Sequence, residues 1–398
     1  MKGAGSTGPA PAFRHDPVKS VLPGSAAEVL WDREPAVCGY RRLSHRTSAG
    51  EDIPVPVCST PAVVGSAGVV VGGYDGRVRL YTADFADIHW EHRLTAPVYA
   101  PLVVDRARST VVAVAVDGSV ICLDLGGGVV WRTCVVTPVY ATPTVLPASG
   151  LLVLAGFGGG CTGLDLATGK HVFDVSLPRP WHALTGGSAA GRDPYAGPLA
   201  LPGGDFIAGC AEHAVRMTGA GRPVWLRDFG HAVRASPAFA PVTGEVVVCT
   251  VDGKCRFLDA GTGRETGVIA LDGKIIGSPA VSGGVLAVGT QRGPAFGIDL
   301  VRRDIIWSVP NGAPRDHTSF TVLPSGDFAV TAENGNVVAR TRDDGHFLWE
   351  TSQLLGLANQ DPALDTTPVA APDGSMYCGS YSGAVYRFRF RPATGRNP

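Results

Sequence analysis

Eight positions in this 398-residue chain, one per repeat of a short segment, carry an unusually wide range of chemistry. Aligned on that segment (a small residue, a proline and an apolar pair), they read Cys58, Tyr99, Tyr140, Tyr195, Arg234, Ile276, His317 and Asp365. Three phenols, a guanidinium, an imidazole and a carboxylate in one column are acid-base and electrostatic equipment. His317 and Asp365 belong to successive repeats, so a contact between them would raise the basicity of the imidazole. Arg234 would bind a carboxylate or stabilise a developing oxyanion. The next column reads Ser59, Ala100, Ala141, Ala196, Ala235, Gly277, Thr318 and Thr366. Neighbouring residues of an extended chain point to opposite sides. The small column is therefore expected to pack between repeats, and the varied one to face open space. Tyr99, Tyr140, Tyr195, Arg234, His317 and Asp365 are the candidate catalytic residues, with Cys58 and Ile276 lining the same site.

The elements that must position these residues follow from the period. The segments recur about every 40 residues, the usual length of a propeller blade. They read VCSTPAV (57–63), VYAPLV (98–103), VYATPTV (139–145), PYAGPLA (194–200), VRASPAF (233–239), IIGSPAV (275–281), DHTSFTV (316–322) and LDTTPVA (364–370). Each is followed by a valine-rich run, a second alternating run and, in most repeats, a tryptophan. Pairs such as Asp75-Gly76, Asp117-Gly118 and Asp252-Gly253 supply the positive φ of tight hairpins, and LDLATG and LDAGTG mark later turns. Four short strands per repeat predict an all-β protein, an eight-bladed β-propeller of four-stranded blades. Seven blades is the alternative, because the fourth unit is irregular. The last unit lacks a fourth strand, and EVLWDRE (28–34) stands alone before the first; it is expected to close the ring as that outer strand. The domain bounds are a tail over 1–24, one propeller over 25–392 and a tail over 393–398. Trp31, Trp90, Trp131, Trp225, Trp307 and Trp349 share the fourth-strand place, with Phe173 and Gly267 as departures, and are expected to pack between blades.

In a propeller the segment leading into each first strand shares a face with the turn between strands two and three. That face is the expected funnel, and hairpin residues Tyr74 and Tyr381 join it as binding candidates. Asp75, Glu212, His213, Asp252 and Arg292 lie at the same turns, where Asp75, Asp117 and Asp252 need only turn chemistry. Two insertions, PRPWHALTGGSAAGRDPYAG (178–197) and LLGLANQDPALD (354–365), approach the same face. Trp181 and His182 would lid the funnel over a Gly186-Gly187 hinge, or cover a blade edge. The polar ring itself has three readings: a small-molecule pocket, a structural hydrogen-bonded ring around a water-filled channel, and a protein-binding platform.

With 45% hydrophobic and 17% charged residues the chain can bury a large core. A net charge of −1, without a run of lysine or arginine, provides no footprint for a nucleic-acid backbone. The first residues contain no apolar stretch of signal-peptide type, and no run is long enough to span a bilayer, so a cytoplasmic, membrane-free protein is expected. Nine cysteines without a C-x-x-C pair read as buried small hydrophobes, and no metal site or disulfide is expected. Arginine outnumbers lysine 29 to 5, which points to a GC-rich, actinobacterial genome.

The turns at Leu164-Asp165 to Gly169 and Leu258-Asp259 to Gly263, the tryptophan-bearing strands and the SPAV-type segments resemble the PQQ-like repeats of quinoprotein dehydrogenases over about residues 25–392. The same repeats occur in the outer-membrane assembly lipoprotein propeller and in the propeller of aminoadipate-semialdehyde dehydrogenase homologues. The resemblance implies the fold and is weak for function. The Cys-Cys pair and most of the insertions that carry quinone and calcium in those dehydrogenases are missing here, so no cofactor is expected. The lipid-accepting cysteine and export signal of the lipoprotein are missing as well. The expected function is a cofactor-independent enzyme or binding protein of biosynthetic metabolism, acting on a small-molecule substrate by cyclisation, addition or elimination. The alternative is a non-catalytic platform for a protein partner.

Overall fold

A computed structural model of the chain describes residues 35–136, 138–178, 196–310, 312–314, 318–351, 364–371 and 374–390. Every repeat folds into one four-stranded antiparallel sheet, and there are eight such sheets among the described residues. Blade 2 shows the local logic, with strands Val103–Asp105, Thr110–Val114, Ser119–Asp124 and Val129–Cys134. The second strand, TVVAV, is buried at every residue because both faces are covered by other blades. The fourth, VVWRTC, buries Trp131 alone. Between the second and third strands Gly118 takes φ 88°, the left-handed turn that the Asp-Gly pair predicts.

The core lies between blades. Val70, Val78 and Leu80 of blade 1 pack with Val111, Ala113 and Ile121 of blade 2. Val63, Val69 and Tyr81 of blade 1 also pack with Val369, Tyr377 and Val385 of blade 8, so the ring is closed by the same apolar contact that joins successive blades. The Tyr377 hydroxyl donates to the Ala83 carbonyl at 3.0 Å across that junction.

An N-terminal strand completes blade 8, but it is Pro35–Arg42 that pairs with Ala384–Phe390, from Pro35 opposite Phe390 to Arg42 opposite Ala384. The expected strand 28–34 and its Trp31 lie outside the described residues. The reason for the shift is an insertion. Tyr99 follows Trp90 by nine positions, as Tyr140 follows Trp131 and Arg234 follows Trp225. Before Cys58, however, a hairpin of Ser44–Arg46 and Asp52–Pro54 lengthens the connection. Backbone bonding marks the equivalent place: Leu43 N–H donates to Gly383 at 2.7 Å as Leu94 N–H donates to Gly76 at 2.8 Å. Counting back from Leu43 puts Gly39, not Trp31, where the other blades carry tryptophan.

Those tryptophans link the blades as expected. Trp131 Nε1 donates to the Leu166 carbonyl of blade 3 at 3.1 Å, and Trp225 Nε1 to Ala260 of blade 5 at 3.1 Å. The rings of Trp90, Trp131, Trp225 and Trp307 lie on turn glycines of the next blade, Gly127, Gly169, Gly263 and Gly345. Gly263 takes φ 68°, and a Cβ there would lie 2.6 Å from Trp225. Blade 5 has Gly267 in place of the ring, and blade 6 correspondingly has Arg303, with φ 60°, in place of the turn glycine. The Arg303 guanidinium reaches back over Phe257, 5.0 Å from its centroid, and pairs with Glu245 at 2.6 Å.

A second link runs nearer the axis. Gly197 N–H donates to Ser236 Oγ at 2.8 Å, Ser236 N–H to Ser278 Oγ at 2.9 Å, Ser278 N–H to Ser319 Oγ at 3.1 Å and Ser319 N–H to Thr367 Oγ1 at 3.0 Å. These hydroxyls belong to the repeat segments themselves. They satisfy buried N–H groups that the short first strands leave unpaired.

Candidate functional site

The described lead-in segments before Cys58, Tyr99, Tyr140 and Arg234 are tied to hairpins on the same face. Tyr74 N–H donates to Pro56 at 3.0 Å, Val116 to Pro97 at 2.9 Å, Phe157 to Pro138 at 2.8 Å and Val251 to Ala232 at 2.9 Å. Each acceptor stands two residues before a member of the varied column. Lead-ins also bond to the preceding blade, as Val57 N–H does to Ser380 at 3.0 Å and Val98 N–H to Gly73 at 3.1 Å. The column residue is thereby held between two hairpin tips.

The alternation holds on this scaffold. Ala100, Ala141, Ala196 and Ala235 are buried, while Cys58, Tyr99, Tyr140, Ile276 and Asp365 are half-buried and Arg234 is exposed. The rings of Tyr99 and Tyr140, from successive blades, meet at 5.2 Å with planes inclined by 63°. Tyr140 in turn meets Phe157 at 4.6 Å and 57°. Tyr74 and Tyr381 stand exposed on the hairpins of blades 1 and 8. Asp365 N–H donates to Gly379 at 3.0 Å beside the hairpin that carries Tyr381. One side of the mouth, from blade 8 through blades 1, 2 and 3, is therefore aromatic with a single column carboxylate. Arg234 and Ile276 belong to blades 5 and 6. Tyr195, His317, Trp181 and His182 lie outside the described residues, as does the expected contact of His317 with Asp365.

Electrostatics limits what these groups can do. Burial first, and then the charge of Asp365, push the Cys58 thiol up to about 12, against the opposing effect of its hydrogen bond with Tyr381. The Tyr381 hydroxyl is also pushed up to about 12, first by the charge of Cys58, then by burial and that shared hydrogen bond, with Tyr74 and Tyr99 adding to it. At neutral pH both keep their protons. Cys58 is not a thiolate nucleophile, and Tyr381 acts as a hydrogen-bond donor, not as a base.

The hairpin aspartates have structural partners. Asp75 pairs with Arg79 at 2.6 Å, Asp117 accepts from Ser119 Oγ at 2.7 Å, and Asp252 pairs with Lys254 at 2.8 Å. His213, buried, stands 3.8 Å from Asp228, and Arg292 reaches Glu333 at 3.4 Å. Phe157 is the mouth residue that the column analysis overlooks. Its signal was available: it occupies the place of Tyr74 and Tyr381, immediately before the hairpin turn. Among the described residues no group of three or more His, Cys, Asp or Glu side chains is placed to hold a metal ion, and no helix is long and apolar enough to cross a membrane.

Eight four-stranded blades make this a β-propeller of the PQQ-like repeat type. Residues 28–189 and 212–396 match the family model of the outer membrane protein assembly factor BamB, and the chain belongs to that family. Among solved structures it is similar to BamB from Moraxella catarrhalis, at 18% identity and a TM-score of 0.67, over 89% of this chain and 100% of that one. The computationally designed Ika8 protein is similar at 14% identity and 0.66, over 89% and 100%. Quinohemoprotein alcohol dehydrogenase from Comamonas testosteroni is similar at 14% and 0.67, over 94% and 78%. At these identities the likeness establishes the fold alone. No curated protein matches the sequence. The likeness to aminoadipate-semialdehyde dehydrogenase homologues gains no support from these comparisons.

Proposed function

We propose that the funnel mouth binds a small organic metabolite and acts on it without a cofactor. The observation that carries this reading is the convergence of Cys58, Tyr99, Tyr140, Tyr381 and Asp365 from four successive blades on one side of the mouth. The phenols and thiol donate hydrogen bonds to a bound oxygen or to charge developing on it. Asp365 is the described group of that set able to accept a proton, and Arg234 supplies a fixed positive charge elsewhere on the ring. Such a set suits cyclisation, addition or elimination in cytoplasmic biosynthetic metabolism. Positioned acid-base groups contribute about 10²- to 10⁴-fold to rate.

A second reading, a non-catalytic platform, is favoured by the apolar side chains exposed on the outer strands, among them Leu226, Ile305, Ile306 and Phe347. A thermal-shift screen of organic metabolites separates the two. Funnel binding predicts compounds that raise the melting temperature of the native protein and fail to do so with Tyr99→Ala/Tyr140→Ala. A screen without any such compound, together with a partner protein whose capture is lost in Leu226→Lys/Ile306→Lys, would overturn the funnel reading in favour of the platform.

A further inference from the structure

We propose that Cys249 and Cys255 form a redox-modification site, a dithiol in blade 5 that a small disulfide oxidises to an intramolecular disulfide, stapling the hairpin between them. The site stands apart from whatever the mouth binds.

Strand register brings the two sulfurs together. The second and third strands of blade 5, Glu245–Cys249 and Lys254–Asp259, run antiparallel with Cys249 opposite Cys255. Thr250 N–H donates to Lys254 at 3.0 Å one step nearer the turn, so the two cysteines occupy a non-hydrogen-bonded position. At such positions opposite Cα atoms lie about 4.5 Å apart, within the range that a disulfide spans. Cys249 Sγ donates to Cys255 Sγ at 3.6 Å. Both side chains are buried, and both are free thiols. The corresponding pairs are Val114 with Val120 in blade 2, Gly289 with Ala295 in blade 6 and Gly379 with Val385 in blade 8, so the repeat folds there without sulfur.

The hairpin that the cysteines flank supports two lead-in segments. Val251 N–H donates to Ala232 at 2.9 Å, which ties the lead-in of Arg234 to the hairpin tip. Leu271 N–H donates to Gly253 at 2.8 Å, and a Cβ on Gly253 would lie 2.4 Å from the Leu271 carbonyl oxygen. The lead-in of Ile276 therefore rests on the same hairpin. A staple across 249–255 stiffens the support of both mouth residues.

A disulfide such as oxidised glutathione balances the chemistry. Local opening of the hairpin exposes the pair. One protein thiolate attacks the oxidant, whose S–S bond breaks and releases one thiol. The second protein thiolate then displaces the other thiol from the mixed disulfide as the bond between the two protein sulfurs forms. Two protein thiols are oxidised, one external disulfide is reduced, and the two protein protons end on the released thiols. In the closed hairpin the hydrogen bond with Cys255 first, and burial second, push the Cys249 thiol well above its ordinary value, so exchange follows opening.

The test equilibrates the native full chain in glutathione buffers of graded oxidised-to-reduced ratio, blocks the remaining thiols in denaturant after an acid quench, and maps peptides cleaved after glutamate. Such cleavage keeps 246–265, with both cysteines, in one piece. Cys378 is the internal control: it is equally buried, but its thiol donates to the Thr366 carbonyl at 3.2 Å and Tyr386 stands opposite it. The 246–265 peptide is expected to lose two hydrogens and to be oxidised at least about tenfold more than Cys378 at the same ratio. Cys249→Ala and Cys255→Ala, each checked for fold by circular dichroism, should leave the remaining cysteine outside any protein disulfide. In the oxidised chain hydrogen exchange at Val251 and Leu271 should slow about tenfold, a change that neither variant shows in the same buffer. A peptide no more oxidised than Cys378, or linkages scattered among the other cysteines, overturns the dithiol. Exchange at Val251 and Leu271 that oxidation leaves unchanged overturns its hold on the mouth.

Discussion

At Cys58, burial and a neighbouring carboxylate act in the same direction on one proton. The thiol, pushed up to about 12, is expected to alkylate far more slowly at pH 8 than the exposed Cys38 and Cys134. Asp365→Asn should accelerate it by removing one of the two causes. Time-resolved iodoacetamide labelling read by peptide mass spectrometry checks this, and Cys58 labelling as quickly as Cys134 would contradict it. The same protons set an alkaline limit. Cys58 and Cys161 rise from 9.0 to about 12 and Tyr381 from 10.0 to about 12 in the fold. Because the folded values lie above the unfolded ones, their contribution is fully present below about pH 9 and is lost as pH rises towards 12. Thermal melts should be level up to about pH 9 and fall from there to pH 11. At the acid end the sign reverses. The Thr168 hydroxyl lowers Asp165 and the Thr262 hydroxyl lowers Asp259, so these turns stabilise above the ordinary carboxylate range and lose that contribution as pH falls through it.

Between elements, the blade-to-blade links are separable by substitution. Gly263 combines a left-handed φ with the Trp225 ring against it, whereas Gly244, at φ 71°, has nothing within 4 Å of its absent Cβ. Gly244→Ala should therefore cost only the backbone term, about 1–2 kcal/mol. Gly263→Ala should add about 1–3 kcal/mol of overpacking. Urea unfolding of the two variants measures the difference, and equal losses would remove the tryptophan from the account. The hydroxyl chain is testable in the same way. Ser278→Ala leaves the buried Ser236 N–H without its acceptor and should cost about 1–3 kcal/mol.

For the whole molecule, closure depends on contacts between the two ends of the described chain. Strand Pro35–Arg42 covers the edge of Ala384–Phe390, and Tyr40 stacks on Tyr386 at 5.8 Å. Deleting residues through Arg42 would expose that edge and loosen the apolar contact between blades 8 and 1. A lowered and broadened thermal transition with concentration-dependent association is the expected outcome, read by calorimetry and light scattering. An unchanged transition would mean that blade 8 is stable with three strands.

The 40-residue period, the turn pairs and the alternation of small with varied residues were legible in the chain because each is local. Hairpin register depends on a few adjacent residues, and side-chain direction on their parity. The varied column and the buried Ala100, Ala141 and Ala235 follow from that alone. Tertiary structure decided whatever depends on residues far apart. Cys58 resembles a nucleophile until Asp365 and Tyr381 are brought beside it from the other end of the chain. Gly39 could not be seen as the equivalent of a tryptophan until pairing with Arg387 fixed its register, because the hairpin before Cys58 had displaced the spacing. Gly267 and Arg303 look like unrelated departures in separate repeats. In the ring they are two sides of one contact, since a blade ends its packing on its neighbour and only closure decides which residues are neighbours.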